Sequence, residues 1–167
     1  KTEGLFLEQS LSDNLIAASL RDHSSTGVMR KGSIRAASHS AIDAFSVKAN
    51  GIDEPVGDLS GGNQQKIMLA KWLKRDPKLL VVEEPTKGVD VGAKFQIHTE
   101  LLQCAAAGMA ILVVSSDFPE LVSLSSRILV IHEGHLMGDV DAKLVNEETL
   151  LQLAAGVSNS PMNNPTY

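Results

Sequence analysis

Two short apolar runs, "KLLVVEE" at 78–84 and "MAILVVSS" at 109–116, flank a stretch of helical spacing over 92–107. Each run is too short for a buried helix, is rich in β-branched residues and ends in polar or turn residues. That is the pattern of a buried strand. Gly108 is placed to stop the helix between them. Strand, helix, strand implies a parallel α/β sheet. "DFPELVSL" then predicts a short helix with Pro119 in its first turn, and "RILVIHEGHLMGDV" a strand, a Glu-Gly turn and a strand. A last helix covers 146–155 with Asn146 as its cap, and the composition of 157–167 predicts a disordered tail.

The part before residue 77 has a different texture. Residues 3–8 predict a short extended segment, 11–20 a helix capped by Ser10 or Ser12, 34–49 a second helix, and Ser60 to about Arg75 a third. Two polar, glycine-containing loops separate them, and Asp76-Pro77 ends the third. The boundaries are therefore a helical region over 1–77, an α/β region over 78–156 and the tail.

Composition narrows the class. The 167 residues suffice for one domain with a core, and 43% hydrophobic with 21% charged residues is ordinary for a globular protein. A net charge of −5 with scattered basic residues gives no general attraction to nucleic acid or anionic membrane. One cysteine, Cys104, excludes an internal disulfide and fits a reducing compartment. No signal peptide is recognisable, and no apolar run reaches the roughly 18 residues of a membrane span. The chain starts at Lys1 rather than methionine, so it is expected to be a piece of something longer.

Two stretches carry chemistry. In "DLSGGNQQK", 58–66, a serine and two glycines stand at the head of a helix. Unpaired N–H groups and a partial positive charge gather there, glycines admit an anion to the backbone, and a serine hydroxyl adds a donor. Ser60, Gly61 and Gly62 suit a phosphate; an ordinary serine cap beside a flexible turn fits the same residues. In "LLVVEEPTKGVD", 79–90, a strand ends in Glu83 and Glu84, which alternation turns to opposite sides. One carboxylate can reach a magnesium ion or its waters and the other can orient an attacking water. A solvated acidic turn is the competing reading.

Together, in this order, the two stretches resemble the signature motif and Walker B strand of ABC transporter ATPases. "GVD" is similar to the D-loop, and the form "LSGGNQQK…EEPTKGVDVGAK…VSSDFPE" resembles the second nucleotide-binding domain of bacterial monosaccharide-import ATPases. "KTEGLFLEQSLSDNL" is similar to the stretch after that family's Q-loop, so the resemblance covers roughly residues 1 to 156. It implies a P-loop NTPase fragment: a helical subdomain, then part of a parallel RecA-like sheet with flanking helices. It implies ATP and Mg²⁺ as cofactors. Ser60, Gly61, Gly62 and Gln64 would contact the γ-phosphate of ATP held by a facing nucleotide-binding domain. Glu84 would activate water, Glu83 would serve the magnesium shell, and Asp90 would bridge the two domains. The implied partners are that facing domain, a transmembrane permease and, indirectly, a periplasmic sugar-binding protein, with no nucleic acid. The implied place is the cytoplasmic face of the bacterial inner membrane, peripherally bound.

Three departures from the family pattern bear on activity. No G-x-x-x-x-G-K-[ST] occurs, so the fragment alone is expected to lack a complete ATP site and to be inactive. Glu83 stands where aspartate is usual; its extra methylene moves the carboxylate by about 1.5 Å, and a misplacement of about 1 Å can cost on the order of 10²-fold in rate. Ser116 occupies the slot of the switch histidine and cannot offer an imidazolium's charge. Two alternatives follow: a degenerate half that only completes a partner's ATP site, and a soluble ABC-type ATPase unconnected with transport. The His132/His135 pair in "HEGH" does not match H-E-x-x-H and reads as a hairpin turn. Trp72 is expected to be a packing residue, and the apolar edge of 79–83 to make the isolated chain marginally stable.

Overall fold

The computed structural model describes residues 4–157. The chain divides into one compact unit up to Leu112 and another from Val113.

The first unit opens with a strap rather than the expected extended segment. Residues 4–9 form turns, because the backbone of Phe6 pairs with the side chain of Asn14 and not with a strand. Ser10 caps α1 (Leu11–Ile16) by accepting the amide of Asp13. The helix is shorter than its apolar spacing predicts. After Ile16 the chain tightens into a 3₁₀ turn over Leu20–His23. A small hairpin follows, β1 (Ser24–Ser25) with β2 (Val28–Met29), turned by Thr26 and Gly27 at φ of 50° and 82°. Next comes α2 (Lys31–Ala44). A 3₁₀ turn at Val56–Asp58 leads to Ser60 and α3 (Gly61–Leu73). Leu11 and Leu15 of α1, Ala41 of α2, Val56, and Ile67 with Ala70 of α3 share one core, each at most 1% exposed. Burying an aliphatic side chain of the size of Leu15 or Ile67 contributes about 1.5–3 kcal/mol.

Past Asp76 and Pro77 comes β3 (Leu79–Glu83), then α4 (Val91–Ala106), then β4 (Ala110–Val114), which lies beside β3. The helical crossover is the connection of a parallel pair. Gly108 ends α4 at φ +100°, as its position predicts. The expectation of two buried strands is corrected: on β4, Ala110, Leu112 and Val114 are exposed. β3 is not buried on both faces: Leu80 and Val82 are buried, whereas Leu79 and Val81 are each 58% exposed. Only one face of the strand is covered among the described residues, so its side chains divide by the two-residue period.

In the second unit Asp117 caps α5 (Phe118–Leu124), with Pro119 in its first turn. β5 (Arg127–His132) and β6 (His135–Asp141) form the expected hairpin, turned by Glu133 and Gly134 at φ of 48° and 78°. Met137 is the extra residue of a bulge, since Val130 faces Gly138 and Ile131 faces Leu136. Asn146 caps α6 (Glu147–Ala154) through the amide of Thr149. Ile128, Val130, Ala142 and Leu150 make a second core. The expected tail falls outside the described residues except for Val157.

Candidate functional site

Ser60 answers the question raised by its motif in one respect: it is a helix cap. Its Oγ accepts the backbone N–H of Asn63 at 3.4 Å and the Asn63 side-chain amide at 3.0 Å. Asn63 in turn accepts the backbone N–H of Lys48 at 3.0 Å, which ties the tip of α3 to the segment after α2. Ser60 remains exposed, and the accepting geometry leaves its hydroxyl proton available to an anion. Gln64 is turned inward: its amide donates to the carbonyls of Leu59 at 3.0 Å and Gly57 at 3.4 Å. In this structure its side chain fixes the loop entering the helix.

Gly62 is buried for a steric reason. A Cβ built on it would lie 2.7 Å from Cβ of Ala93 and 3.6 Å from Oδ2 of Asp90. The start of α3 therefore abuts the start of α4. Asp90 caps α4, accepting the amide of Ala93 at 2.9 Å. That amide bond is the main reason its carboxyl is held below the usual carboxylate range; the positive charge of Lys66 adds a smaller pull. Lys66, on the buried side of α3, donates to the carbonyl of Ser46 at 2.9 Å. Burial lowers its pKa and the charge of Lys48 lowers it further, while Asp90 and Glu100 pull the other way.

The acidic pair stands at the end of β3. Glu83 is exposed and Glu84 half-buried. Glu84 sits at φ +47°, the left-handed region that a non-glycine residue rarely adopts. Such strain costs on the order of 1–3 kcal/mol and collects at functional positions. The turn at 84–88 leads straight to Asp90, so Glu83, Glu84, Asp90 and the Ser60–Gly62 tip all belong to the first unit. A cavity of about 780 Å³ opens beside Glu83 and Glu84, lined also by Trp72, Arg75, Leu79 and Lys87; Asp90 and the Ser60–Gly62 tip do not line it. Trp72 is 50% exposed on its wall, against the expectation of a packed residue. Ser116 belongs to the second unit, exposed in the turn after β4. Around it, Ser115 donates to the buried Glu120 at 2.6 Å, and the amide of Asp117 donates to Ser115 Oγ at 3.1 Å.

The sequence reading missed Asn63, Lys66 and Ala93. Asn63 had a signal, since it stands at the third helical position after a serine cap. Ala93 had only a weak one, a small residue after Gly92.

The solved structures most informative about this arrangement are nucleotide-binding ones. The chain is similar to an ATP-binding cassette solved as a post-hydrolysis dimer with ADP and phosphate, at a TM-score of 0.68 and 18% identity over 83% of this chain and 59% of that one. It is also similar to a nucleotide-free ATP-binding cassette from an ABC transporter, at a TM-score of 0.65 and 20% identity over 89% of this chain and 60% of that one. At such identities the likeness is one of fold, and the fold is that of an ABC-type P-loop NTPase. The family profile described as ABC transporter matches residues 3–87, half of the chain, and the chain belongs to that family. Among curated proteins it is 42% identical over 164 residues to the ribose import ATP-binding protein RbsA 2 of Rhizobium meliloti, covering 98% of this chain and 32% of that protein. It is 39% identical over 158 residues to RbsA of Yersinia pestis, covering 95% and 31%. RbsA of Streptococcus agalactiae is 42% identical over 156 residues, covering 93% and 32%. The chain thus spans about a third of the length of the curated relatives it matches. Proteins of this family bind nucleotide.

Proposed function

We propose that the chain is part of the ATP-binding subunit of an importer for monosaccharides, supplying the signature tip that closes on ATP held by a facing nucleotide-binding domain. The observation that carries this reading is the exposed tip of α3. Ser60 caps it with two accepted bonds and still has a proton to give, beside the first amides of a 13-residue helix. A helix of that length presents partial positive charge to a phosphate. The names of the three relatives given above, ribose import ATP-binding proteins, support the transport role.

In the mechanism that follows, Ser60 and the Gly61 amide bind the terminal phosphate in trans, and Gln64 keeps the entering loop in shape. Glu84 orients the attacking water and holds its proton. Asp90 meets the facing domain. Mg²⁺ commonly takes one or two carboxylates and completes its shell with water and phosphate. Glu83 and Glu84 fit that need, while among the described residues no group of three or more acidic, histidine or cysteine side chains could cage a metal. Glu83 would hold it, where it neutralises phosphate charge. The helical part over 1–77 carries the signature, and 78–156 is part of the ATPase core. Among the described residues no helix is long and apolar enough to cross a membrane. The proposed partners are a transmembrane permease and, indirectly, a periplasmic sugar-binding protein. The proposed location is the cytoplasmic face of the inner membrane.

The test replaces Gly61 with tryptophan in the polypeptide as the organism makes it, reconstituted with its membrane partner. Loss of sugar-stimulated ATP hydrolysis and of uptake is expected. Uptake at the unmodified rate overturns the reading.

A further inference from the structure

The two glycines of the tip stand in different surroundings. Gly61 is partly exposed at the first helical position, whereas Gly62 is buried against α4. The contact on Gly62 is not with the movable end of a long side chain. Cβ of Ala93 is fixed to its backbone, so a 2.7 Å approach can be relieved only by moving one helix away from the other. The residue touched is in the first turn of α4, and its amide holds the carboxylate of Asp90. One turn further along α3, Lys66 lies within electrostatic reach of both Asp90 and Glu100.

We propose that Gly62 is a positioning residue whose missing side chain seats α3 on Ala93, locking the Ser60 tip and the Asp90 cap into one rigid element. The proposal rests on the trans-phosphate reading above and adds a division of labour to it. Gly61 leaves room for a ligand, while Gly62 leaves room for a neighbouring helix. The distance between the phosphate-facing hydroxyl of Ser60 and the carboxylate of Asp90 is then set by one small-residue crossing. Closing on a nucleotide requires both to arrive together.

The experiment exploits the chemistry of the contact. Gly62→Ala adds the clashing methyl, and Ala93→Gly removes the atom it strikes. In the polypeptide as the organism makes it, Gly62→Ala is expected to lower ATP turnover at least tenfold. The double variant Gly62→Ala/Ala93→Gly is expected to recover it to within threefold of the unmodified protein. Hydrogen exchange supplies a readout that does not depend on turnover. In Gly62→Ala the amides of Ala93 and Lys94, bonded to Asp90, are expected to exchange at least tenfold faster, while amides of α2 keep their rates and report an intact fold. A double variant as impaired as the single one, or unchanged exchange at Ala93 and Lys94, overturns the proposal. If Gly62→Ala does not fold, rescue of folding by Ala93→Gly supports the crossing and failure of rescue refutes it. If Gly61→Trp leaves turnover intact, the trans-phosphate reading fails, and the exchange measurement alone still judges the crossing.

Discussion

Asn14 and Phe6 pair through two reciprocal hydrogen bonds. The Phe6 amide donates to Asn14 Oδ1 at 2.8 Å, and Asn14 Nδ2 donates back to the Phe6 carbonyl at 2.9 Å. The same amide group reaches the carbonyl of Ser10 at 3.0 Å, and Asn14 is completely buried. One side chain therefore does for the 4–9 strap what a neighbouring strand would do. Removing it leaves part-buried backbone groups of the strap unpaired, each worth up to about 1–3 kcal/mol. Asn14→Leu is expected to lower the unfolding free energy by about 2–4 kcal/mol, read from urea titration of the chain. A loss below about 0.5 kcal/mol, the scale of an ordinary surface change, would contradict the account.

Lys71 gives the fold a pH dependence of unusual sign. Only 8% exposed, it donates to the carbonyl of Gly4 at 3.0 Å and has the rings of Phe6 and Trp72 at 5.5 and 5.4 Å. Among the described residues no acidic side chain is its partner, and burial lowers its pKa from the ordinary 10.5. Between the lowered value and 10.5 the unfolded chain binds more protons than the folded one. Stability from this group therefore rises with pH across that window and levels off above it. Lys71→Met has no such group. Between pH 7.5 and pH 10 the stability difference between the two proteins should move in favour of the unmodified one. A constant difference, or movement toward the methionine variant, would remove this cause.

The acidic pair makes a two-part kinetic prediction for the polypeptide as the organism makes it. Glu84→Gln keeps the shape and removes the base, and a general base commonly contributes about 10²–10⁴-fold. Turnover from this chain's own pocket should fall by at least about 10²-fold. Glu83→Asp shortens the metal-side carboxylate by one methylene and should raise turnover from the same pocket, measured with the facing pocket disabled. A pocket indifferent to both changes would be a non-catalytic half.

The open face of β3 predicts the behaviour of the chain in isolation. Leu79 and Val81 are each 58% exposed, and Leu112 of the neighbouring strand is 50% exposed. Contiguous apolar surface on a strand pair invites association. Sedimentation of the chain should show concentration-dependent self-association that Leu79→Lys with Val81→Thr reduces. A monomer at every concentration would show that this face is harmless.

Legibility in the sequence followed the range of the interaction. Caps and turns are local, so Ser10, Asn146, Pro119, Gly108 and the Glu133-Gly134 turn all stand where their residue types predict. Helix ends set by tertiary contacts were less readable. The strap at 4–9 depends on Asn14, and α1 stops at Ile16 although its apolar spacing runs on. Burial was misjudged on β3, since an apolar run does not say how many of its faces will be covered. At the site, motif spacing marked Ser60, Gly62, Glu84 and Asp90 as residues of interest. It could not show that Gly62 meets Ala93, because that contact joins two helices across an intervening strand.

The lysines of α3 have one more consequence. Lys66 and Lys71 are 5% and 8% exposed, and each ammonium is tied to a backbone carbonyl of another segment. Trypsin must draw a basic side chain fully into its specificity pocket, so these two bonds are closed to it while the helix stays folded. Lys31, the exposed first residue of α2, has no such burial to protect it. Partial digestion would thus nick the chain at the start of α2 and spare the signature helix whole.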